Sequence, residues 1–204
     1  MKTCLILVDI QNDFCPGGAL AVPDGDAVVA IANRLQSQYD VVVATQDWHP
    51  ANHGSFAVNN PGRKPFEMGE LGGLPQVLWP AHCVQGTTGA AFHPRLVTSR
   101  IAKIFPKGTD TTIDSYSGFF DNGRKKATGL GDWLSEHGIT HVAVCGLATD
   151  YCVKATAIDA VQLGFHTTLI TDACRGVGLG KTDVADALTA MRQADVTIST
   201  SAAP

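Results

Sequence analysis

Short runs of β-branched and other apolar residues recur along the chain and predict six buried strands. The runs are Leu5-Ile6-Leu7-Val8, Val41-Val42-Val43, Ile101 to Phe105, His141 to Val144, Thr167 to Ile170 and Val196 to Ser199. Apolar residues at helical spacing lie between several of these runs, at Val28, Ile31, Ala32 and Leu35, at Val153, Ala157, Ile158 and Val161, and at Val184, Leu188 and Met191. This alternation predicts an α/β fold with three α/β/α layers and a mostly parallel six-stranded sheet.

Length and composition narrow the class of protein. The 204 residues, 45% of them hydrophobic and 17% charged, predict one folded domain over residues 1–204. The apolar runs are far shorter than a membrane span, and Asp9 interrupts the run after Lys2, so we expect neither a span nor a secretory signal. A net charge of −4 and a single short basic cluster argue against nucleic acid as a partner. Six irregularly spaced cysteines indicate reduced thiols and a cytoplasmic protein.

Two stretches have neither a helical nor a strand period. Residues Trp48 to Arg95 are rich in proline and glycine, and Pro106 to Asn122 follow the third predicted strand. Loops of this length inside a compact domain are usually functional, so we expect both to contribute to a site.

Ionisable and reactive residues follow the predicted strands. Asp9 follows the first strand, Asp47 and His49 the second, Lys107 the third, and a turn that ends at Cys152 follows the fourth. In an open parallel sheet, ligands bind outside the carboxyl ends of the strands. Any one of these residues could simply end a strand where solvent begins, but together they predict a site at this edge.

Cys152 is the candidate nucleophile of that edge. With Thr149 or Asp150 as N-cap, the thiol would lie in the first turn of a helix. The helix dipole contributes roughly 0.3 to 1 kcal/mol, and up to about 2 when partly buried, whereas bringing a thiol to a neutral pKa needs roughly 2 kcal/mol. Lys107 could complete the shift, or Asp9 could remove the proton as general base. The alternative is a buried cysteine that acts as a small hydrophobic residue.

Asp47 and His49 are candidate metal ligands, because residues i and i+2 of an extended chain lie on the same side. His82 could supply a third ligand, and His53 is a further candidate. Two histidines and a carboxylate leave coordination positions open, which suits a substrate-binding ion. Zinc is the default ion, and iron(II) or manganese fits the same ligands. A lone Asp-x-His pattern also occurs where a loop histidine is merely hydrogen-bonded.

The candidate residues lie within six motifs that follow one another along the chain. They are Val8-Asp9-Ile10-Gln11-Asn12-Asp13-Phe14-Cys15, Gln46-Asp47-Trp48-His49-Pro50, Trp79-Pro80-Ala81-His82-Cys83-Val84-Gln85-Gly86, Lys107-Gly108, Asp114-Ser115-Tyr116-Ser117-Gly118-Phe119 and Gly146-Leu147-Ala148-Thr149-Asp150-Tyr151-Cys152-Val153. In this order the motifs resemble those of the nicotinamidases, also called pyrazinamidases, within the isochorismatase-like cysteine hydrolases. The resemblance spans nearly the whole chain and implies the isochorismatase-like hydrolase fold.

The resemblance also implies roles for individual residues. It implies a catalytic triad of Asp9, Lys107 and Cys152, and a divalent metal held by Asp47, His49 and His82. It implies a cis peptide between Ala148 and Thr149, with the amides of Ala148 and Cys152 forming an oxyanion hole. It further implies that a pyridine ring is enclosed by Phe14, Leu20, Trp79 and Tyr116. For His53 it gives no ligand role, since a fourth histidine is used only in some members and at a different spacing.

The activity that the resemblance implies is hydrolysis of nicotinamide to nicotinate and ammonia, through a cysteine thioester and with a metal that orients the ring. Such an enzyme would serve NAD salvage and would also act on pyrazinamide. The nearest alternative is a related cysteine amidase for ureido or carbamoyl substrates. A nucleotide-binding oxidoreductase is disfavoured because no G-x-G-x-x-G follows the first strand. A non-enzymatic metal-binding protein is a third alternative, and the sequence leaves open whether the chain forms a homo-oligomer.

Overall fold

A computed structural model describes residues 2–202 and places six strands in one sheet. The strands are β1 (Thr3–Val8), β2 (Val41–Asp47), β5 (Ile101–Lys107), β6 (His141–Leu147), β7 (His166–Arg175) and β8 (Thr197–Ser199). They pair in the order β5-β2-β1-β6-β7-β8, and every pair is parallel. The six predicted strands are therefore confirmed. Two further strands, β3 (Met68–Leu71) and β4 (Leu74–Val77), form a separate antiparallel hairpin.

Four α-helices accompany the sheet in the described residues. They are α1 (Ala27–Leu35), α2 (Leu130–Glu136), α3 (Lys154–Gln162) and α4 (Asp183–Gln193), and a π-helical turn at Thr149–Val153 precedes α3. The predicted apolar face of α1 is buried at Val28, Ala32 and Leu35. In α3 and α4 the predicted faces are fully buried only at Ala157 and Met191, and their other predicted positions within these helices, Ile158, Val161, Val184 and Leu188, are half-buried. None of the helices in residues 2–202 is both long enough and apolar enough to cross a membrane.

Strand β1 lies at the centre of the sheet, between β2 and β6. Its residues from Cys4 to Val8 are all fully buried, so both faces of the strand are covered. Each aliphatic side chain buried in this way contributes roughly 1.5 to 3 kcal/mol. The strand order reverses at β1, and such a reversal opens a crevice at the carboxyl ends of the strands.

The hairpin of β3 and β4 and the helix α2 are not among the predicted elements. The hairpin strands contain Gly69 and Pro75, which are poor strand formers and hide the alternating pattern. A signal was nevertheless present, because Gly72 and Gly73 form the two-residue connection and both have positive φ. The hairpin matters for the site because Gln76 lies in β4.

Candidate active site

Three neighbouring strands bring Asp9, Asp47 and Lys107 to one point. Asp47 and Lys107 end β2 and β5 and are register partners, and Asp9 follows β1 directly. Asp9 has a left-handed backbone with φ of 47°, which turns the chain out of the strand. The ammonium nitrogen Nζ of Lys107 lies 2.9 Å from Asp9 Oδ2 and 2.8 Å from Asp47 Oδ1. All three side chains are buried.

Lys107 also reaches the cysteine. Its Nζ donates to the backbone oxygen of Ser115 at 3.0 Å and to Cys152 Sγ at 3.3 Å. Burial opposes the charge, but Asp47 and Asp9 outweigh it and hold the pKa of Lys107 well above its usual range. The site therefore has a fixed positive charge between two carboxylates and a thiol.

Cys152 does not lie where the capping prediction puts it. It belongs to the π-helical turn Thr149–Val153, one turn ahead of α3, and neither Thr149 nor Asp150 makes a side-chain cap. The carboxylate of Asp150 instead accepts hydrogen bonds from the backbone nitrogens of Val177 and Gly178, at 2.9 and 2.8 Å. The predicted N-cap is wrong because this side chain holds the loop after β7.

Burial raises the pKa of the Cys152 thiol well above its usual range, and Lys107 offsets only part of this effect. The helix dipole alone therefore does not activate this thiol. A thiol with a raised pKa needs a base to remove its proton before the sulfur can attack.

The cis peptide bond is one position earlier than the resemblance implies. It joins Leu147 to Ala148 and not Ala148 to Thr149. The expected position is therefore wrong by one residue: the cis bond follows the last residue of β6, and Ala148 is the N-cap of the π-helical turn.

Asp9 has the surroundings of a group that can take and return a proton. Burial raises its pKa, while Lys107 and a 2.6 Å hydrogen bond from Thr45 Oγ1 to its Oδ1 lower it. A carboxyl whose pKa is raised toward neutrality serves better as a base and acid at neutral pH. Thr45 was not among the predicted residues, although its i, i+2 relation to Asp47 on β2 puts both on one side of the strand.

Asp47, His49 and His82 converge as a candidate site for a divalent metal. Asp47 Oδ2 lies 3.0 Å from His49 Nε2 and 3.3 Å from His82 Nε2, and all three side chains are buried. Nδ1 of each ring faces a backbone oxygen at 2.8 Å, that of Gly108 for His49 and that of Pro80 for His82. Since these oxygens only accept, Nδ1 carries the hydrogen in each neutral ring and Nε2 presents a lone pair. Two nitrogen lone pairs and a carboxylate oxygen facing one another fit a cation.

Gly108 is required for this geometry. Its φ is +64°, and a Cβ on it would lie 2.4 Å from His49 Cε1 and 2.7 Å from His49 Nδ1. Any side chain there would push the imidazole away from Asp47.

His53 is not among the ligand atoms that converge on Asp47, although its ring packs against His49 with the centroids 4.4 Å apart. Its Nδ1 accepts a hydrogen bond from the backbone nitrogen of Ser55 at 3.1 Å, and its buried Nε2 has no partner in the described residues. His53 forms a second group of candidate ligand atoms with His49 and Asp114. Because His49 already uses both ring nitrogens toward Gly108 and Asp47, the two groups compete for it.

A cavity opens beside Cys152 and is lined by the residues expected to enclose a ring. Phe14, Leu20, Trp79 and Tyr116 all line it, as do Ala148 and the three candidate metal ligands. Asp114, Tyr151 and Val177 also line the cavity and were not predicted. The cavity thus has an aromatic wall, a metal-ligand end and a thiol in one enclosure.

Two polar side chains of the first motif hold the backbone at or beside the candidate metal ligands. Gln11 donates to the backbone oxygen of Asp47 and accepts from its nitrogen, both at 2.8 Å. Asp13 accepts from the backbone nitrogen of Cys83 at 2.7 Å, next to His82. Neither role was predicted, because these bonds join segments far apart in the chain.

Comparison with known proteins identifies the family. The isochorismatase domain model matches residues 3–203. The nicotinamidase of Escherichia coli strain K12 is 55% identical over 200 residues, covering 96% of this chain and 93% of that protein. A solved structure of a nicotinamidase/pyrazinamidase from Acinetobacter baumannii superposes with a TM-score of 0.96 at 47% identity, covering 98% of this chain and 97% of the other.

The pyrazinamidase of Pyrococcus horikoshii, solved in complex with zinc, has a TM-score of 0.79 and 36% identity, covering 98% of this chain and 99% of the other. These matches confirm the predicted three-layer fold with its parallel six-stranded sheet. The chain therefore belongs to the isochorismatase family, among its nicotinamidase-like members.

Proposed function

We propose that this chain hydrolyses nicotinamide to nicotinate and ammonia, with Asp9, Lys107 and Cys152 as its catalytic residues. One observation carries the proposal: Lys107 Nζ lies within 3.3 Å of Asp9, Asp47 and Cys152, and the last two of these residues line an aromatic cavity. The similarity to nicotinamidases over nearly the whole chain supports the same activity. Pyrazinamide is a second expected substrate.

Acylation begins when Asp9 accepts the Cys152 thiol proton and the sulfur attacks the carboxamide carbon. The oxyanion forms against the backbone N–H groups of Ala148 and Cys152, which both line the cavity. One such donor typically contributes about 3 to 4 kcal/mol to the transition state. Asp9 then gives the proton to the departing nitrogen, the C–N bond breaks, and ammonia leaves a thioester on Cys152.

Deacylation reuses the same carboxylate. Asp9 takes a proton from water as the water oxygen attacks the thioester carbon, and the C–S bond breaks to release nicotinic acid, which loses its carboxyl proton to solvent and becomes nicotinate. The proton returns to the Cys152 sulfur. Lys107 holds Asp9 through the 2.9 Å ion pair and stabilises negative charge on the sulfur at 3.3 Å.

Asp47, His49 and His82 would hold one divalent ion at the other end of the cavity, most simply zinc, although iron(II) or manganese suits the same donors. A bound ion supplies a Lewis acid that orients a ring nitrogen. Phe14, Leu20, Trp79 and Tyr116 would enclose the flat ring and exclude water from the thioester. His53 is left without an assigned role.

The wider setting follows from this activity. We propose a single domain over residues 1–204, a role in NAD salvage, and a place in the cytoplasm with a small molecule as the partner. Neither nucleic acid nor membrane is expected as a partner. Homo-oligomer formation is left open.

The test is ammonia release from nicotinamide by the purified protein, before and after chelation and after addition of zinc, manganese or iron(II). We expect release that is lost on chelation and restored by at least one ion. Release from ureido or carbamoyl compounds, with none from nicotinamide under any ion, would instead identify the related amidase activity.

A further inference from the structure

We propose that Gln76, on strand β4, is a positioning residue that keeps the Tyr116 hydroxyl proton free to donate to a hydrogen-bond acceptor on the bound substrate. The inference rests on the proposed function, because Tyr116 lines the cavity that would hold the substrate. Gln76 is 2% exposed and is not part of the cavity wall, so any effect on the substrate passes through its neighbours.

The orientation of the Gln76 amide is set by three oxygens around its nitrogen. Nε2 lies 2.8 Å from the backbone oxygen of Val77, 2.9 Å from Asp114 Oδ2 and 3.0 Å from Tyr116 Oη. A carbonyl and a carboxylate oxygen accept hydrogen bonds but donate none. The reversed amide would place its own oxygen against both of them, so the NH₂ group must face the three oxygens.

Tyr116 Oη accepts from Trp79, and it shares the two hydrogens of the Gln76 amide with the oxygens of Val77 and Asp114. Trp79 donates to it through Nε1–H at 3.3 Å, and the Gln76 amide nitrogen lies on another side. Neither an indole nor an amide nitrogen can accept a proton from the hydroxyl. Within residues 2–202 no group accepts that proton, so Tyr116 presents an unused donor at the cavity wall.

Gln76 also protects this donor from Asp114. Asp114 Oδ2 and Tyr116 Oη lie 2.9 and 3.0 Å from the same amide nitrogen, and the amide donates to that carboxylate oxygen. Without the amide hydrogens, that carboxylate oxygen would have no donor and would accept a hydrogen bond from the Tyr116 hydroxyl. The substrate would then meet a hydroxyl with no free hydrogen.

Two substrate groups have the required acceptor chemistry. The carboxamide oxygen is common to nicotinamide and pyrazinamide, whereas a second ring nitrogen exists only in pyrazinamide. A neutral hydrogen bond contributes about 0.5 to 1.5 kcal/mol, which corresponds to roughly a 2- to 12-fold change in affinity. Comparing the two substrates therefore identifies the acceptor.

The experiment is a double-mutant cycle with Tyr116→Phe, Gln76→Met and the double variant in the metal-loaded protein, with kcat and KM measured on both substrates. We expect Tyr116→Phe to raise KM roughly 3- to 10-fold with kcat within about twofold. Gln76→Met, which keeps the length but removes the amide hydrogens, should give a similar rise. In the Gln76→Met background, Tyr116→Phe should then change KM by less than about twofold. A loss confined to pyrazinamide assigns the ring nitrogen, and equal losses assign the carboxamide oxygen.

The controls are Gln36→Met and Tyr39→Phe, which alter a buried glutamine and a partly buried tyrosine remote from the cavity and should leave KM unchanged. If Gln76→Met folds poorly, Gln76→Leu replaces it in the cycle, since this side chain also removes the amide hydrogens and places no oxygen against Asp114. An equal effect of Tyr116→Phe in both backgrounds, or no effect on KM of either substrate, overturns the inference. A wild-type protein that releases no ammonia from either substrate would overturn the proposed function instead.

Discussion

The strand-end half of the site and its loop half hold their side chains by different means. In the strand-end half, Asp9, Asp47 and Lys107 are fixed by the parallel ladder of β1, β2 and β5, and Asp47 and Lys107 are direct register partners. In the loop half, His82 and Tyr116 depend on individual hydrogen bonds, such as those to Pro80 and from Gln76. We infer that the ladder sets the proton-transfer chemistry and the loops set metal and substrate binding. Substitutions in the two halves should therefore affect different kinetic constants.

The largest effect is expected for Cys152→Ala, which removes the proposed nucleophile that Lys107 of the strand-end half contacts. Activity should fall on the order of 10⁴-fold or more, while the fold, the metal content and nicotinamide binding persist. Cys4→Ala is the matched control, since Cys4 is an equally buried free cysteine near the other end of β1. Turnover by the pure, metal-loaded Cys152→Ala protein above about one per cent of wild type would contradict the nucleophile assignment.

Asp9→Asn should have the next largest effect. The amide keeps the size of the side chain but cannot take the thiol proton, so kcat should fall roughly 10²- to 10⁴-fold. It also leaves Lys107 with one carboxylate fewer, and removing one partner of a buried ion pair typically costs about 3 to 5 kcal/mol. Thermal unfolding and metal analysis should accompany the kinetics. A variant with normal kcat would show that another group is the base.

Gly108→Ala tests the loop half without touching a ligand. The added Cβ would displace His49, so zinc affinity should fall roughly 10- to 100-fold and KM should rise at limiting metal. Saturating zinc should restore most of kcat, because Lys107, Asp9 and Cys152 are unchanged. Gly138→Ala is a useful comparison, since that glycine also has positive φ but nothing lies within 4 Å of its Cβ position. A loss of kcat that zinc cannot restore would break the division between the two halves.

Thr45→Val should give the smallest effect, roughly 2- to 12-fold in kcat/KM, from the loss of one hydrogen bond to Asp9. That bond favours the charged carboxylate, so its removal raises the pKa of Asp9 further. Because the base must be ionised, the acid limb of the kcat/KM profile should move to higher pH. Thr45→Ser should restore both the rate and the profile. An unchanged acid limb would mean that Asp9 ionisation does not limit activity.

The same division explains how far the sequence predicts the site. Periodicity alone places Asp9, Asp47 and Lys107 at strand ends, because adjacent parallel strands end at a common edge. Periodicity does not predict the roles of Gln76 and Gln11, because their hydrogen-bond partners lie far away in the chain and follow no local pattern. The wall residues Phe14 and Leu20 come only from resemblance to a family.

The errors of prediction have the same origin. Aspartate is a common N-cap residue, which is why Asp150 was expected to cap a helix. Its carboxylate instead binds the loop after β7, and local propensity cannot reveal such a tertiary contact. The helix end predicts a lowered pKa for the Cys152 thiol, whereas burial raises that pKa in the folded protein. The hairpin of β3 and β4 was hidden by its glycine and proline, although its Gly72-Gly73 turn was visible.

The carboxylate of Asp47 belongs to both halves, since Oδ1 binds Lys107 and Oδ2 faces the two histidines. A lineage that drifted toward another ion could exchange His49 or His82 one at a time, because neither histidine pairs with the buried lysine. It could not exchange Asp47 in the same way, since the change would also remove a counterion of the buried Lys107. Among descendants of this chain, we therefore expect substitutions at the histidines to be tolerated before any at the aspartate.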